Sequence, residues 1–212
     1  MMATTHAMAG LAVAAVAVFV APDHAPVLAA AGIAGGVFPD LDLYAGHRRT
    51  LHYPVYYSVA ALLAVVAAAL VSSPWTAAAA VFLAAAALHA ASDALGGGLE
   101  LEPWEETSDR AVYSHFHGRW LAARRFVRYD GSPEDVVLAA GLGVPAALAF
   151  GPTVQRVVAA ALAVSVGYAL VRRRLPRLVR RLVTFVPEAL RSHLPDRFVS
   201  LPRGRSVGDK KP

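Results

Sequence analysis

Ser73-Pro74-Trp75-Thr76-Ala77-Ala78-Ala79-Ala80-Val81-Phe82-Leu83-Ala84-Ala85-Ala86-Ala87-Leu88-His89-Ala90-Ala91-Ser92-Asp93 is a small, apolar run that ends on an imidazole and a carboxylate. It carries no charged residue before Asp93. Its length matches the roughly 20 residues a helix needs to cross a bilayer. Working outward, this run occupies 75–95, and five more apolar stretches lie near 5–21, 26–38, 53–72, 135–150 and 153–171. The 212 residues are 57% hydrophobic with a mean hydropathy of +0.48, too apolar for an ordinary soluble domain. The expected fold is all-α: a polytopic membrane bundle of about six apolar helices and a basic C-terminal tail. The second and fifth stretches are short, which predicts tilted, re-entrant or internally packed segments. Alanine dominates, with Gly32, Gly35, Gly36, Gly141, Gly143 and Gly167 interspersed, and small residues let membrane helices approach closely.

Charge divides the chain. Residues 172–212 hold 12 Arg and Lys against 3 Asp and Glu, a balance of +9, whereas residues 1–171 stand at −4. We therefore expect a membrane-embedded domain over 1–171, with a soluble loop at 96–134, and a basic amphipathic tail over 172–212 that is disordered beyond Pro202. Basic and apolar residues alternate from Arg172 at helical spacing, as in an interfacial helix attracted to anionic lipids. Nucleic-acid binding is the weaker reading of the same charge. If all six stretches cross and the N-terminus is cytoplasmic, only Arg156 among the 20 Arg and Lys lies near the outer face, in keeping with the positive-inside rule. Both termini are then cytoplasmic, in a multi-pass protein of the cell membrane. The first stretch has no Lys or Arg before it and a second follows at once, so it is expected to be a retained helix rather than a signal peptide. Thr4 or Thr5 is expected to cap it, and Ser132-Pro133-Glu134-Asp135 to open the fifth helix. Trp104 and Trp120 fit an interfacial aromatic belt. Cysteine is absent, so a metal would have to be held by His, Asp, Glu or water.

That same drawing brings four polar clusters to one membrane face: His6; Asp40 and Asp42; His47 and His52; His89, Ser92 and Asp93. Ionisable groups next to apolar spans are costly and usually mark a site. His89 and Asp93, four apart, share one helix face and can share a cation. Asp40 and Asp42 can each bind a metal, or one can bind while the other orients a histidine. His47 and His52 flank Arg48 and Arg49, which are suited to gripping a phosphate or carboxylate. Each cluster alone also reads as a solvated turn, a topogenic charge or a helix-end hydrogen bond. The argument for a metal rests on their joint placement.

These clusters, in this order, resemble the YdjM-type family of inner-membrane, metal-dependent hydrolases, also described as LexA-binding. The matching stretches are Thr5-His6, Phe38-Pro39-Asp40-Leu41-Asp42, His47-Arg48-Arg49-Thr50-Leu51-His52-Tyr53, and His89 through Asp93 with Gly96–Gly98 and Pro103-Trp104. The similarity covers about residues 1–105. The stretch Tyr113–Leu138, with Arg119-Trp120 and Arg128-Tyr129-Asp130-Gly131, looks like the archaeal branch. Arg49 stands where the family has Gly, Leu51 where it has Thr, and Tyr53 where it has Ser. The spacing of the two histidines is kept.

The expectation is a hydrolase that holds one or two divalent metals, Zn²⁺ or Mn²⁺, at the cytoplasmic face. His6, Asp40, Asp42, His47, His52, His89 and Asp93 are the candidate ligands. A metal there would acidify a bound water for attack on a phosphoester or ester, from a small molecule or a lipid. Asp42 or Asp40 is the candidate general base, and Arg48 or Arg49 the anion holder. The alternatives are a non-catalytic membrane scaffold with a structural metal, and a cation or proton transporter. A transport path needs polar groups at mid-span or on both faces, and helices five and six offer none.

Overall fold

The computed structural model describes residues 1–191 and Leu194; disorder expected beyond Pro202 falls outside the described residues. The chain is mostly helical. The six apolar stretches form α1 (Ala3–Val18), α2 (Ala25–Val37), α3 (Pro54–Val71), α4 (Pro74–Ser92), α5 (Pro133–Ala149) and α6 (Pro152–Val171). A basic amphipathic α7 (Leu175–Thr184) and a short α8 (Glu188–Arg191) follow.

Proline punctuates these helices. Pro54, Pro74, Pro133 and Pro152 each occupy the first helical position, where a missing N–H costs nothing. Ser73 caps α4 in a reciprocal box with Thr76. The expected cap on α1 is not made. The helix begins behind Met2, and the Thr5 hydroxyl instead donates to Asp135 Oδ1 at 2.6 Å. Asp135 Oδ2 also accepts from the Met2 and Gly131 amides at 2.8 and 3.0 Å, so this buried carboxylate ties α1 to the start of α5.

Among the described residues, three segments are long and apolar enough to cross a membrane: Pro54–Val71, Pro74–Leu95 and Pro152–Thr184. The expected six apolar stretches are all helical, the second and fifth short as expected, but only three segments have membrane-crossing length. α1, α2 and α5 have 16, 13 and 17 residues, about 24, 20 and 26 Å at 1.5 Å per residue. The hydrocarbon core is about 30 Å thick. α1 lies in the middle of the bundle against α2, α4, α5 and α6, with Met8, Leu11, Ala14 and Ala15 buried. Close approach depends on glycine. A Cβ on Gly10 would lie 1.9 Å from the Gly32 carbonyl oxygen, and one on Gly36 2.3 Å from that of His6. α1 and α2 therefore touch backbone to backbone along the side that carries His6.

The all-α class stands, with one small two-stranded sheet in the 96–134 loop. Strands β1 (Arg110–Ser114) and β2 (Arg119–Ala122) form an antiparallel hairpin, with Tyr113 opposite Trp120 and an irregularity between Arg110 and Val112. Alternation is too short here to announce strands in the sequence. The Tyr113 amide donates to the Arg48 carbonyl at 2.9 Å, docking the hairpin on the loop between α2 and α3.

Candidate metal centre

Antiparallel helices bring alternate ends together. The start of α1, the end of α2, the approach to α3 and the end of α4 meet at one end of the bundle. There His6, Asp40, His52, His89 and Asp93 come within one cluster, although they are far apart in the chain. Two overlapping groups have donor atoms mutually within 4.8 Å: His6, His89 and Asp93, and Asp40, His52 and His89.

The ring nitrogens reveal the logic. His89 Nδ1 donates to the Gly36 carbonyl at 2.6 Å, and His52 Nδ1 donates to Asp42 Oδ2 at 3.0 Å. In the neutral rings both Nε2 atoms then carry lone pairs. These two Nε2 atoms face each other at 3.2 Å. Asp93 Oδ2 lies 3.2 Å from His52 Nε2 and 3.6 Å from His89 Nε2. Asp40 Oδ1 lies 4.0 and 3.5 Å from the same two atoms. Four acceptor atoms thus converge on a volume that only a cation or protons can reconcile. Asp93 Oδ1 points the other way, 3.3 Å from His6 Nε2, and the His6 ring stacks on His89 with centroids 3.6 Å apart. His6 Nε2 and both Asp93 oxygens are buried without a hydrogen-bond partner. Orphaned polar atoms of this kind in a His/Asp set fit a metal ion.

Asp42 sits one step behind. Its Oδ1 faces His47 Nδ1 at 3.1 Å and the Arg48 amide at 3.3 Å. Its Oδ2 accepts from His52 and from the amides of Arg49 and Leu51 at 3.3 and 3.1 Å. Burial opposes its charge, but the two imidazoles and these amides outweigh that and hold it well below the usual carboxylate range. Burial likewise works against the charge of His52, and the carboxylates of Asp42 and Asp93 raise its pKa regardless. Asp40 is brought down to about 2: burial acts upward, and the neighbouring imidazoles, His89 first, act more strongly downward. It is 22% exposed at its side chain, the most open of the five clustered side chains.

Of the residues picked out by sequence, the structure gathers His6, Asp40, His52, His89 and Asp93. Asp42 and His47 belong to neither donor group. Ser92 turns away, its hydroxyl bonded to the His89 carbonyl. Arg48 adopts a left-handed backbone (φ 59°) and its guanidinium is buried. It donates to the carbonyls of Gly97 and Ala111 at 2.8 and 3.4 Å and lies 3.5 Å from Asp93. It steadies Asp93 and the 96–98 turn through Nη1 and Nε. Arg49 instead lies over the Tyr113 ring, 4.7 Å from its centroid. The Gly36 carbonyl went unnoticed in the sequence, because a backbone acceptor leaves no residue-type signal.

A cleft of about 590 Å³ opens beside the cluster. Asp40, His47 and Arg48 form one end. Asp130, Tyr168 and Arg172 form the other, with the 98–103 loop along one wall and Leu175 and Val179 of α7 along another. At the far end Arg172 grips Asp130 with two hydrogen bonds, at 2.7 and 2.9 Å, and the Tyr168 hydroxyl donates to the same carboxylate. This second cluster was not anticipated: Asp130 lies 38 residues before Tyr168 and 42 before Arg172. Compared with known proteins, the chain matches no family model, no curated protein and no solved structure.

Proposed function

We propose that this protein is a membrane-embedded, metal-dependent hydrolase that cleaves a phosphoester or ester at the cytoplasmic face. One observation carries the reading. The Nε2 atoms of His52 and His89 and carboxylate oxygens of Asp40 and Asp93 converge while each ring's other nitrogen is already held. That is the build of a metal site with its supporting shell, and the open side at Asp40 leaves room that a closed structural site lacks. The resemblance to YdjM-type hydrolases points the same way.

Asp40, His52, His89 and Asp93 would hold one divalent ion, and Asp93 Oδ1 with His6 is placed to contribute to a second. A bound divalent ion would supply Lewis acidity toward a substrate oxygen and toward water. The chain's own part is positioning. Asp42 holds the tautomer and angle of His52 and, through Oδ1, engages His47. Arg48 fixes Asp93 against the 96–98 turn. The apolar walls of the cleft, Leu43, Leu99, Leu101 and Val164, exclude water beside a charged end, which suits a substrate with a hydrophobic part.

In the proposed topology all six helices cross, with the shorter ones shielded by the bundle, and the site lies at headgroup depth. The Arg-rich face of α7 meets anionic lipids, with Leu178, Leu182 and Phe185 exposed beside it. The first test is elemental analysis of detergent-purified wild type and of His89→Ala/Asp93→Ala, followed by a phosphoester and ester panel with Zn²⁺ and Mn²⁺. Near-stoichiometric metal lost in the double variant, with turnover by the wild type, is the expected result. Absence of metal in both after reconstitution, or loaded protein that turns over nothing, would sink the reading.

A further inference from the structure

Val164, Tyr168 and Arg172 follow one another at four-residue spacing on α6, and all three line the cleft. At 1.5 Å per residue this stripe runs about 12 Å from the site end of α6 into its apolar body. α6 belongs to the segment Pro152–Thr184, which has membrane-crossing length. Its outer side is bare: Val164 is 61% exposed, and Val166 and Leu170 stand exposed with it. Val164 thus lines the cleft and the outer face of a membrane-length helix at once. Leu175 and Val179, again four apart, bring apolar side chains of α7 onto the same cleft, and Leu43, Leu99 and Leu101 add to its walls. Arg172 and Asp130 on this route neutralise each other through two hydrogen bonds. The other end is polar, with Asp40, His47 and Arg48. There Arg48 gives Nη1 to the Gly97 and Ala111 carbonyls and turns Nε to Asp93, and Nη2 takes part in none of these contacts. The cleft is therefore amphiphilic along its length, polar beside the His/Asp cluster and apolar where it meets the exposed side of α6.

We propose that the substrate is a phosphate ester of a membrane lipid, admitted sideways from the bilayer between α6 and α7. This names the substrate class of the hydrolase proposed above and rests on that reading. One hydrocarbon chain lies along Val164, Leu175 and Val179, and the phosphate comes to the Arg48 end, beside the His/Asp cluster. A volume of about 590 Å³ is of the size that holds such a ligand. In the hydrolysis a water oxygen bonds to phosphorus and a phosphorus–oxygen ester bond breaks. The released alcohol oxygen takes one proton of the water, and the other stays on the phosphate. A phosphoester without a chain fills only the polar end and forgoes the apolar contact.

The test uses the full chain in detergent, loaded with Mn²⁺ or Zn²⁺. Butylphosphonate and octylphosphonate carry one anionic head and no ester, so calorimetry reads their binding apart from turnover. Octylphosphonate is expected to bind on the order of 100-fold tighter, at roughly fourfold for each methylene buried. Butyl and octyl p-nitrophenyl phosphate should show the same preference in kcat/KM. Val164→Trp and Val179→Trp, which narrow the apolar end, should each cut the octyl-to-butyl ratio about 10-fold or more, with bound metal at the wild-type level. Val166→Trp, exposed on α6 outside the cleft, should keep the ratio. Partition of the chain into detergent is common to wild type and variants, so a difference among them belongs to the cleft. Equal binding of the two phosphonates by wild type, a wild-type ratio in both cleft variants, or turnover of carboxylic esters alone overturns the lipid assignment while the hydrolase reading stands. Loaded wild type that cleaves neither phosphoesters nor carboxylic esters overturns both together, whatever it binds.

Discussion

The 2.6 Å bond from His89 to the Gly36 carbonyl and the 3.0 Å bond from His52 to Asp42 decide which ring nitrogens are left for chemistry. At this scale Asp42 is a positioning residue, since neither of its oxygens reaches the donor groups. Asp42→Asn is therefore expected to keep the fold and weaken metal affinity about 10- to 100-fold, as loss of a supporting carboxylate generally does. Competition against a metallochromic chelator reads this directly; an unchanged affinity would place Asp42 outside the site's support. The candidate ligands His6, Asp40, His52, His89 and Asp93 were legible in the sequence because ionisable residues at the ends of apolar runs are rare and expensive. Which of Asp40 and Asp42 faces the cluster was not legible. The two lie two apart on a tight 3-10 turn, and only the fold directs one inward to the cluster and the other toward the His47–His52 loop.

Between elements, two contacts make sharp predictions. Gly32→Ala places a methyl 2.3 Å from the Gly10 carbonyl oxygen and should force α1 and α2 apart, costing at least about 3 kcal/mol. Gly141, also within a helix, has nothing within 4 Å of its would-be Cβ. Gly141→Ala should therefore stabilise by about 0.5–1 kcal/mol through helix propensity. Thermal melts of the two variants in one detergent compare them, and equal melting points would mean the backbones are not in contact. The second contact is the Asp130–Arg172 pair that closes the far end of the cleft. Burial works against the Asp130 charge, but Arg172 outweighs it and lowers the folded-state pKa. A lowered carboxylate stabilises above its unfolded value near about 3.9, and that contribution is lost as pH falls through the folded value. Asp130→Asn should thus cost about 2 kcal/mol at neutral pH, with the gap from wild type narrowing below about pH 4. A gap that stays constant from pH 7 to 3 would show that charge is not what Asp130 contributes. α7 was legible as a basic amphipathic helix from its alternating Arg and Leu. The β1–β2 hairpin was not, because four- and five-residue strands at a loop gain their order from docking on Arg48.

For the whole molecule, the proposed topology can be read with labels, since the chain has no cysteine of its own. Thr107→Cys sits by the hairpin, on the site side, and Thr153→Cys at the opposite end, where α6 begins; both positions are exposed. An impermeant maleimide applied to sealed, right-side-out cells should modify the Thr153→Cys variant and spare the Thr107→Cys variant. Labelling of both, or the reverse pattern, would invert or dismantle the bundle's proposed placement. By itself the sequence determined the helices, their approximate ends, and the gathering of the polar clusters at one end. Apolar run length, proline punctuation and alternation of chain direction are local or combinatorial properties. Only the tertiary structure decided that three segments have membrane-crossing length and that Asp42 and Arg48 support the site from behind. Those outcomes depend on where each helix stops against its neighbours and on which lone pairs the surrounding backbone has already taken.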